Sequence, residues 1–264
     1  MKYLVVPSSH TSSNTAFLCS LILYLWAVAS FASEPHELTK KHCPNTHGAI
    51  VVGTALHPEL NTLLYCEYHI LQISESAQAA RNLVVRYFDS NNNEIASKSV
   101  VYGTSPVQPE ITQKDFRSGE QRIAQRNAEG QWVMTYQESK RDKVKTQVVE
   151  LGEMGVVDSG FNQFIKLHWD TLQSDDPLVV EFLSVPHLKT IKLQVKTVEC
   201  EPEASGERVC FGIQINNAFL RLITGELYLE YSSAKQLVLF SGVVNIRNEK
   251  EKTQKAVIQY TYYN

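Results

Sequence analysis

From Leu63 to the C-terminus the sequence is a succession of short alternating runs separated by short polar joints. Apolar side chains at every second position set one face of an extended chain against a core and the other toward water. Ile191, Leu193 and Val195 alternate with Lys192, Gln194 and Lys196, and Phe211, Ile213 and Ile215 alternate with Gly212 and Gln214. The runs 63–72, 83–88, 94–102, 132–137, 143–151, 226–231, 236–245 and 253–263 read as further strands. Joints such as Asp89-Ser90-Asn91-Asn92-Asn93 and Ser232-Ser233-Ala234-Lys235 are too short for a crossover, so neighbouring strands should be antiparallel. The polar stretch 114–130 reads as loop, and 33–62 reads as an irregular N-terminal segment ahead of a single antiparallel domain over 63–264.

One segment breaks the alternation. Phe161, Phe164, Ile165, His168 and Leu172 share one stripe at helical spacing, which predicts a helix over Phe161–Gln173. Asp158 or Ser159 is placed to cap its start, and Asp175-Asp176-Pro177 ends it. About ten strands with one helix do not make a β-α-β alternation. A long antiparallel sheet curls, and the apolar stripe of the helix needs a surface to cover. The expected fold is therefore mainly β, a long antiparallel meander forming a curved half-barrel or open barrel with this helix on one face.

Apart from Lys2, no charged side chain occurs before Glu34, and residues 16–28 are nearly all apolar with small residues following. That is the pattern of a secretory signal over residues 1–32, with an uncleaved membrane anchor as the alternative. The expected location is periplasmic or secreted, with membrane contact only through residues 1–32 if they are retained. Cys19 lies inside this segment, leaving Cys43, Cys66, Cys200 and Cys210. Proximity in sequence favours Cys43–Cys66 and Cys200–Cys210, the second across the neck of a hairpin. Lys and Arg total 25 against 28 Asp and Glu, so the chain lacks the basic excess of a nucleic-acid binder.

The stretch Asp158-Ser159-Gly160-Phe161-Asn162-Gln163-Phe164, followed by Trp169-Asp170-Thr171-Leu172 and by a strand ending at Pro186, resembles a group of uncharacterised bacterial secreted proteins. They share an Asp-x-Gly-Phe-x-x-Phe helix start and a Trp-Asp-x-x-Leu. Tyr65-Cys66-Glu67-Tyr68-His69 and Tyr87-Phe88-Asp89 look similar to the same group. The resemblance implies a bacterial envelope setting and no mechanism. A half-barrel is also similar in shape to lipoprotein-carrier-like periplasmic proteins, a likeness at fold level alone.

No nucleophile elbow, phosphate-binding glycine loop or paired-histidine zinc motif occurs. Asp158 and His168 are the candidates for acid–base chemistry in a hydrolase, although a cap and a stripe position account for them without it. His42, His47, His57 and His69 cluster early enough to suggest metal handling, although Cys66 and His69 must point to opposite faces of one strand. No cofactor is implied. The leading expectation is a non-enzymatic cell-envelope protein holding a lipid, another apolar ligand or a partner segment on its curved sheet. Phe161, Trp169, Phe182, Tyr228 and Phe240 are the candidate ligand-facing residues.

Overall fold

The computed structural model describes residues 42–72, 81–174, 176–201, 206–215 and 226–263. The proposed signal, residues 1–32, lies outside them. Among the described residues the fold is one sheet. Its N-terminal half comprises β1 (Val51–Leu56), β2 (Leu63–Gln72), β3 (Arg81–Phe88), β4 (Glu94–Tyr102), β5 (Glu110–Asp115), β6 (Gln121–Arg126), β7 (Trp132–Gln137) and β8 (Lys145–Val149). Its C-terminal half comprises β9 (Gly155–Val156), β10 (Leu178–Ser184), β11 (Lys189–Val198), β12 (Arg208–Ile215), β13 (Leu227–Ser232), β14 (Leu237–Val243) and β15 (Lys255–Tyr262).

The order across the sheet is β8-β7-β6-β5-β4-β3-β2-β1-β15-β14-β13-β12-β11-β10-β9. The first and last strands therefore meet in the middle, with Val51 opposite Tyr262 and Leu56 opposite Val257. Every pairing is antiparallel except the short parallel one of β9 with β10. The short polar joints explain this: each returns the chain beside the strand it has just left. The sheet curls so far that its two ends pack together. Leu183 near the end of β10 and Val185 in the turn after it join Val100, Ile111, Ala124, Trp132 and Met134 from β4–β7 in one cluster.

The helix sits on the concave face, as the stripe predicts. It is divided into α1 (Gly160–Leu167) and α2 (Trp169–Leu172) at His168, whose φ of −100° and ψ of 20° leave the helical region. Phe164, Ile165, Trp169 and Leu172 are buried against Val180, Val195, Phe211, Ile213 and Tyr231 of β10–β13. Trp169, Phe211 and Tyr231 meet edge to face, with ring centroids 5.4 to 5.7 Å apart. Such pairs add about 0.5–1.5 kcal/mol each beyond their burial.

Gly160 explains why the helix starts where it does. A side chain there would place its Cβ 2.1 Å from the Val107 carbonyl oxygen, so only glycine lets α1 press this closely on the loop before β5. Of the two cap candidates, Ser159 takes the N-cap position without a side-chain capping hydrogen bond, and Asp158 does not cap the helix. Its φ of 40° turns the chain, and its carboxylate points to Lys98 instead. A buried ammonium on β4 gives it a stronger partner than a backbone N–H.

Two segments read as irregular are strands. Residues 51–56, inside the expected irregular segment 33–62, form β1 at the centre of the sheet. Both faces of this strand are covered, with Ala55 in the inner core and Val52 in an outer cluster with Cys43, Cys66, Tyr68 and Phe88. A strand buried on both faces shows no alternation. Within 114–130 lie the end of β5 and all of β6. Beside Ile111 and Ala124 their inward row turns polar: Gln113 and Asp115 on β5 and Glu120 just before β6 are each 2% exposed. Asp115 pairs with Arg117, and Glu120 with Arg122.

Disulfides join Cys43 to Cys66 and Cys200 to Cys210. They belong to an oxidising, extracytoplasmic environment. Among the described residues no helix is long and apolar enough to cross a membrane.

Candidate functional site

Two of the inner clusters, the one beneath the helix and the one around Tyr65, Val85 and Ile258, border a chamber. It measures about 420 Å³, within the roughly 300–1,000 Å³ usual for small-molecule sites. One wall is apolar. Phe182 and Ile191 come from β10 and β11, Ile213 and Leu229 from β12 and β13, and Phe240 from β14. The alternation read in the sequence points these residues inward. Phe161 closes the wall from the first turn of α1. A second recess of about 920 Å³ shares His69, Ser159, Asn162, Leu237 and Tyr260 with the chamber. It reaches Ile50 and Leu71, at the start of β1 and the finish of β2, where they are 41% and 42% exposed.

The opposite wall is polar and aromatic. Glu67 lies on β2 between Tyr87 of β3 and Gly53 of β1, and Gly53 in turn faces Tyr260 of β15. Gly53 makes the room: a Cβ there would lie 2.4 Å from Cγ of Glu67. Only 5% of Glu67 is exposed. Its Oε1 lies 3.4 Å from Nε2 of His69. Burial alone would raise this carboxyl. The hydrogen bond and charge of His69, the Tyr260 hydroxyl and the Lys98 charge outweigh it and hold Glu67 below its usual range. Burial and the Glu67 charge push the hydroxyls of Tyr65, Tyr87 and Tyr260 well above theirs, so all three stay protonated as donors.

A buried ion pair borders this wall. Lys98 Nζ donates to Asp158 Oδ1 at 2.7 Å, with the two side chains 7% and 13% exposed. Ser159 Oγ donates to the same oxygen at 2.8 Å, and Asn245 Nδ2 donates to Oδ2 at 3.0 Å. Burial would raise the Asp158 carboxyl, but the Lys98 charge and these hydrogen bonds hold it below its ordinary 3.8. The network continues from Asn245 to Arg122 and Glu120 on β6 and its preceding turn. Asp158 thus fastens the start of α1 to β4 and to the segment after β14.

Of the candidate ligand-facing residues, Phe161, Phe182 and Phe240 line the chamber. Trp169 and Tyr228 do not. Trp169 is spent in the aromatic packing beneath α2, with Lys235 Nζ 5.2 Å over its ring. Tyr228 is one position out of phase with Leu227 and Leu229, so it points to the convex face. There its hydroxyl donates to Cys210 Sγ at 3.1 Å and accepts the Glu201 N–H at 3.0 Å, holding the Cys200–Cys210 hairpin.

Asp158 and His168 are not brought together. Asp158 lines the chamber and is saturated by Lys98, Ser159 and Asn245, whereas His168 packs against Phe164 at 4.5 Å. The early histidines are dispersed as well. His47 stacks on Phe88 at 4.4 Å, and His57 Nδ1 accepts from the N–H groups of Glu59 and Leu60. His69 faces Glu67, and His42 is exposed. Among the described residues no three His, Cys, Asp or Glu side chains are placed to share a metal ion. Reading the sequence missed Glu67, Lys98, Tyr65 and Tyr87 as chamber residues. The signal available was a Tyr-x-Glu-x-His alternation on β2, which sets all three side chains on one face.

No family model matches the chain, and no curated protein matches it. A solved structure similar to it is the beta-barrel-like protein of domain of unknown function DUF1849 from Brucella abortus, at 8% sequence identity and a TM-score of 0.46, over 81% of this chain and 96% of that one.

Proposed function

We propose that the protein is a non-enzymatic binding protein of the cell envelope, periplasmic or secreted, that holds an apolar molecule in the chamber of its curved sheet. The observation that carries this reading is the chamber itself. A wall of Phe, Ile and Leu side chains borders a space large enough for a small lipid-like molecule. Apolar walls that enclose space rather than one another forgo packing contacts, and a ligand body restores them. The two disulfides fit an oxidising envelope compartment. The second recess offers a route between the chamber and the exposed Ile50 and Leu71.

Native mass spectrometry of the chain, expressed with its own N-terminal segment and isolated from the envelope fraction, tests the proposal. A co-purified species of lipid-like mass is expected. Ile213→Trp, which projects a larger side chain toward the chamber, should reduce its occupancy while leaving the disulfides formed. Protein that carries no ligand and also takes up no dodecyl-chain compound on titration would refute the reading.

A further inference from the structure

Glu67 is a carboxylate without a matching cation. Among the described residues its one ion-pair partner is His69, which is charged only when protonated, and no Lys or Arg pairs with it. Lys98, the ammonium bordering the same chamber, is committed to Asp158 at 2.7 Å. Besides His69, the chamber lining carries two carboxylates, Glu67 and Asp158, against that one ammonium. A buried charge left uncompensated is costly, and proteins ordinarily meet it with a counter-charge.

The surroundings of Glu67 are aromatic. Tyr65 and Tyr87 stand edge to face with centroids 5.9 Å apart, and His69 and Tyr260 do the same at 6.0 Å. All four line the chamber beside the carboxylate. Aromatic faces attract a positive charge, most strongly where water is excluded. A fatty-acid headgroup would meet the opposite: a fixed carboxylate at close range in a poorly screened space. The apolar wall of Phe182 and Ile213 meanwhile accepts an aliphatic body.

On the reading of the chamber as a binding site, we infer that its ligand is a cationic amphiphile, an aliphatic body bearing one positively charged nitrogen that docks against Glu67 and the tyrosines around it. The nitrogen supplies the counter-charge that the protein withholds. Gly53 takes part by leaving the Glu67 side chain space to lie across β1.

The test is isothermal titration calorimetry of the full chain at neutral pH with three compounds of equal chain length, each below its micelle concentration: dodecyltrimethylammonium, dodecanol and dodecanoate. The ammonium should bind about tenfold or more tightly than the alcohol, and dodecanoate should bind most weakly. Glu67→Gln, close to isosteric but uncharged, should bring the ammonium down to the alcohol, and Glu67→Asp should retain part of the preference. The ranking in the unaltered protein stands as a test even if the variants fail to fold. Dodecanoate binding most tightly, or an ammonium preference unchanged in folded Glu67→Gln, would overturn the inference. Equal binding of all three compounds would also overturn it while leaving the apolar chamber intact. Binding of none would remove both readings together.

Discussion

The ion pair of Lys98 and Asp158 makes a quantitative prediction about what fastens the helix inside the barrel. The side chains are 7% and 13% exposed, so neither reaches bulk water when its partner is removed. Lys98→Met leaves Asp158 with two neutral donors, Ser159 and Asn245. The escape from a stranded carboxylate is protonation. From an ordinary value of 3.8, neutralising it at pH 7 costs about 4.4 kcal/mol, at 1.36 kcal/mol per pH unit. Asp158→Asn strands Lys98 instead, and neutralising an ordinary lysine at pH 7 costs about 4.6 kcal/mol. Both limits agree with the roughly 3–5 kcal/mol usual for breaking a buried pair from one side. The double variant strands nothing and loses only hydrogen bonds and packing, about 1–3 kcal/mol. Urea unfolding at pH 7 of the four proteins should therefore give a coupling of at least about 3 kcal/mol. Single losses that add to within about 0.5 kcal/mol would refute the reasoning. The pH dependence provides a second check. The folded carboxyl titrates below its ordinary 3.8, so its contribution is complete above that value and fades as pH falls through it. The stability gap between the wild type and Asp158→Asn should accordingly narrow below about pH 4.

Other expectations concern the frame around the chamber. Gly160→Ala should lower stability by about 1–3 kcal/mol, measured by urea melts, because its Cβ would meet the Val107 backbone 2.1 Å away and neither element can yield cheaply. Phe211→Ala, which empties the centre of the aromatic triad with Trp169 and Tyr231, should cost about 3–5 kcal/mol. Leu167→Ala, at a site 67% exposed on the same helix, should change stability by no more than about 0.5 kcal/mol. Paired Cys→Ser changes should cost about 3.4 kcal/mol for Cys43–Cys66, separated by 23 residues, and about 2.7 kcal/mol for Cys200–Cys210, separated by 10. Reversal of that order in thermal melts would show that strain or residual structure, rather than loop closure, governs these bridges.

What the sequence revealed of the fold follows the physics of each segment. A strand with one wet face announces itself: β11 alternates as Ile191, Leu193 and Val195 imply. β2 runs over Leu63–Gln72, the limits its run of apolar and aromatic residues implies, although both of its faces are covered. β1 was hidden because both of its faces are covered, and because Gly53 stands where an inward side chain would have marked the period. β5 and β6 were hidden for the opposite reason. Among their inward residues only Ile111 and Ala124 are apolar, and a period-two search for apolar residues does not register Gln113 or Arg122, nor Glu120 just before β6, as interior. The helix was visible as a stripe, but its interruption at His168 leaves no mark in spacing, since Phe164 and Leu172 remain on the buried side of both pieces.

The site was less legible than the fold because it is an agreement among strands far apart in the chain. Tyr260, Gly53, Glu67 and Tyr87 form one row across β15, β1, β2 and β3, although more than two hundred residues separate the first two. That row exists only because the C-terminal strand returns to pair with the N-terminal one, a pairing that local alternation does not specify. Aromatic residues taken singly therefore misled: Trp169 and Tyr228 have the size to line a chamber, but one is buried beneath α2 and the other lies on the convex face. The motif at the helix start was the more informative feature, because its residues hold separate posts. Asp158 fastens to Lys98, Gly160 admits the Val107 backbone, Phe161 faces the chamber, and Phe164 enters the core. Four residues at fixed spacing thus fix where the helix begins and which way it faces, and with it one wall of the chamber.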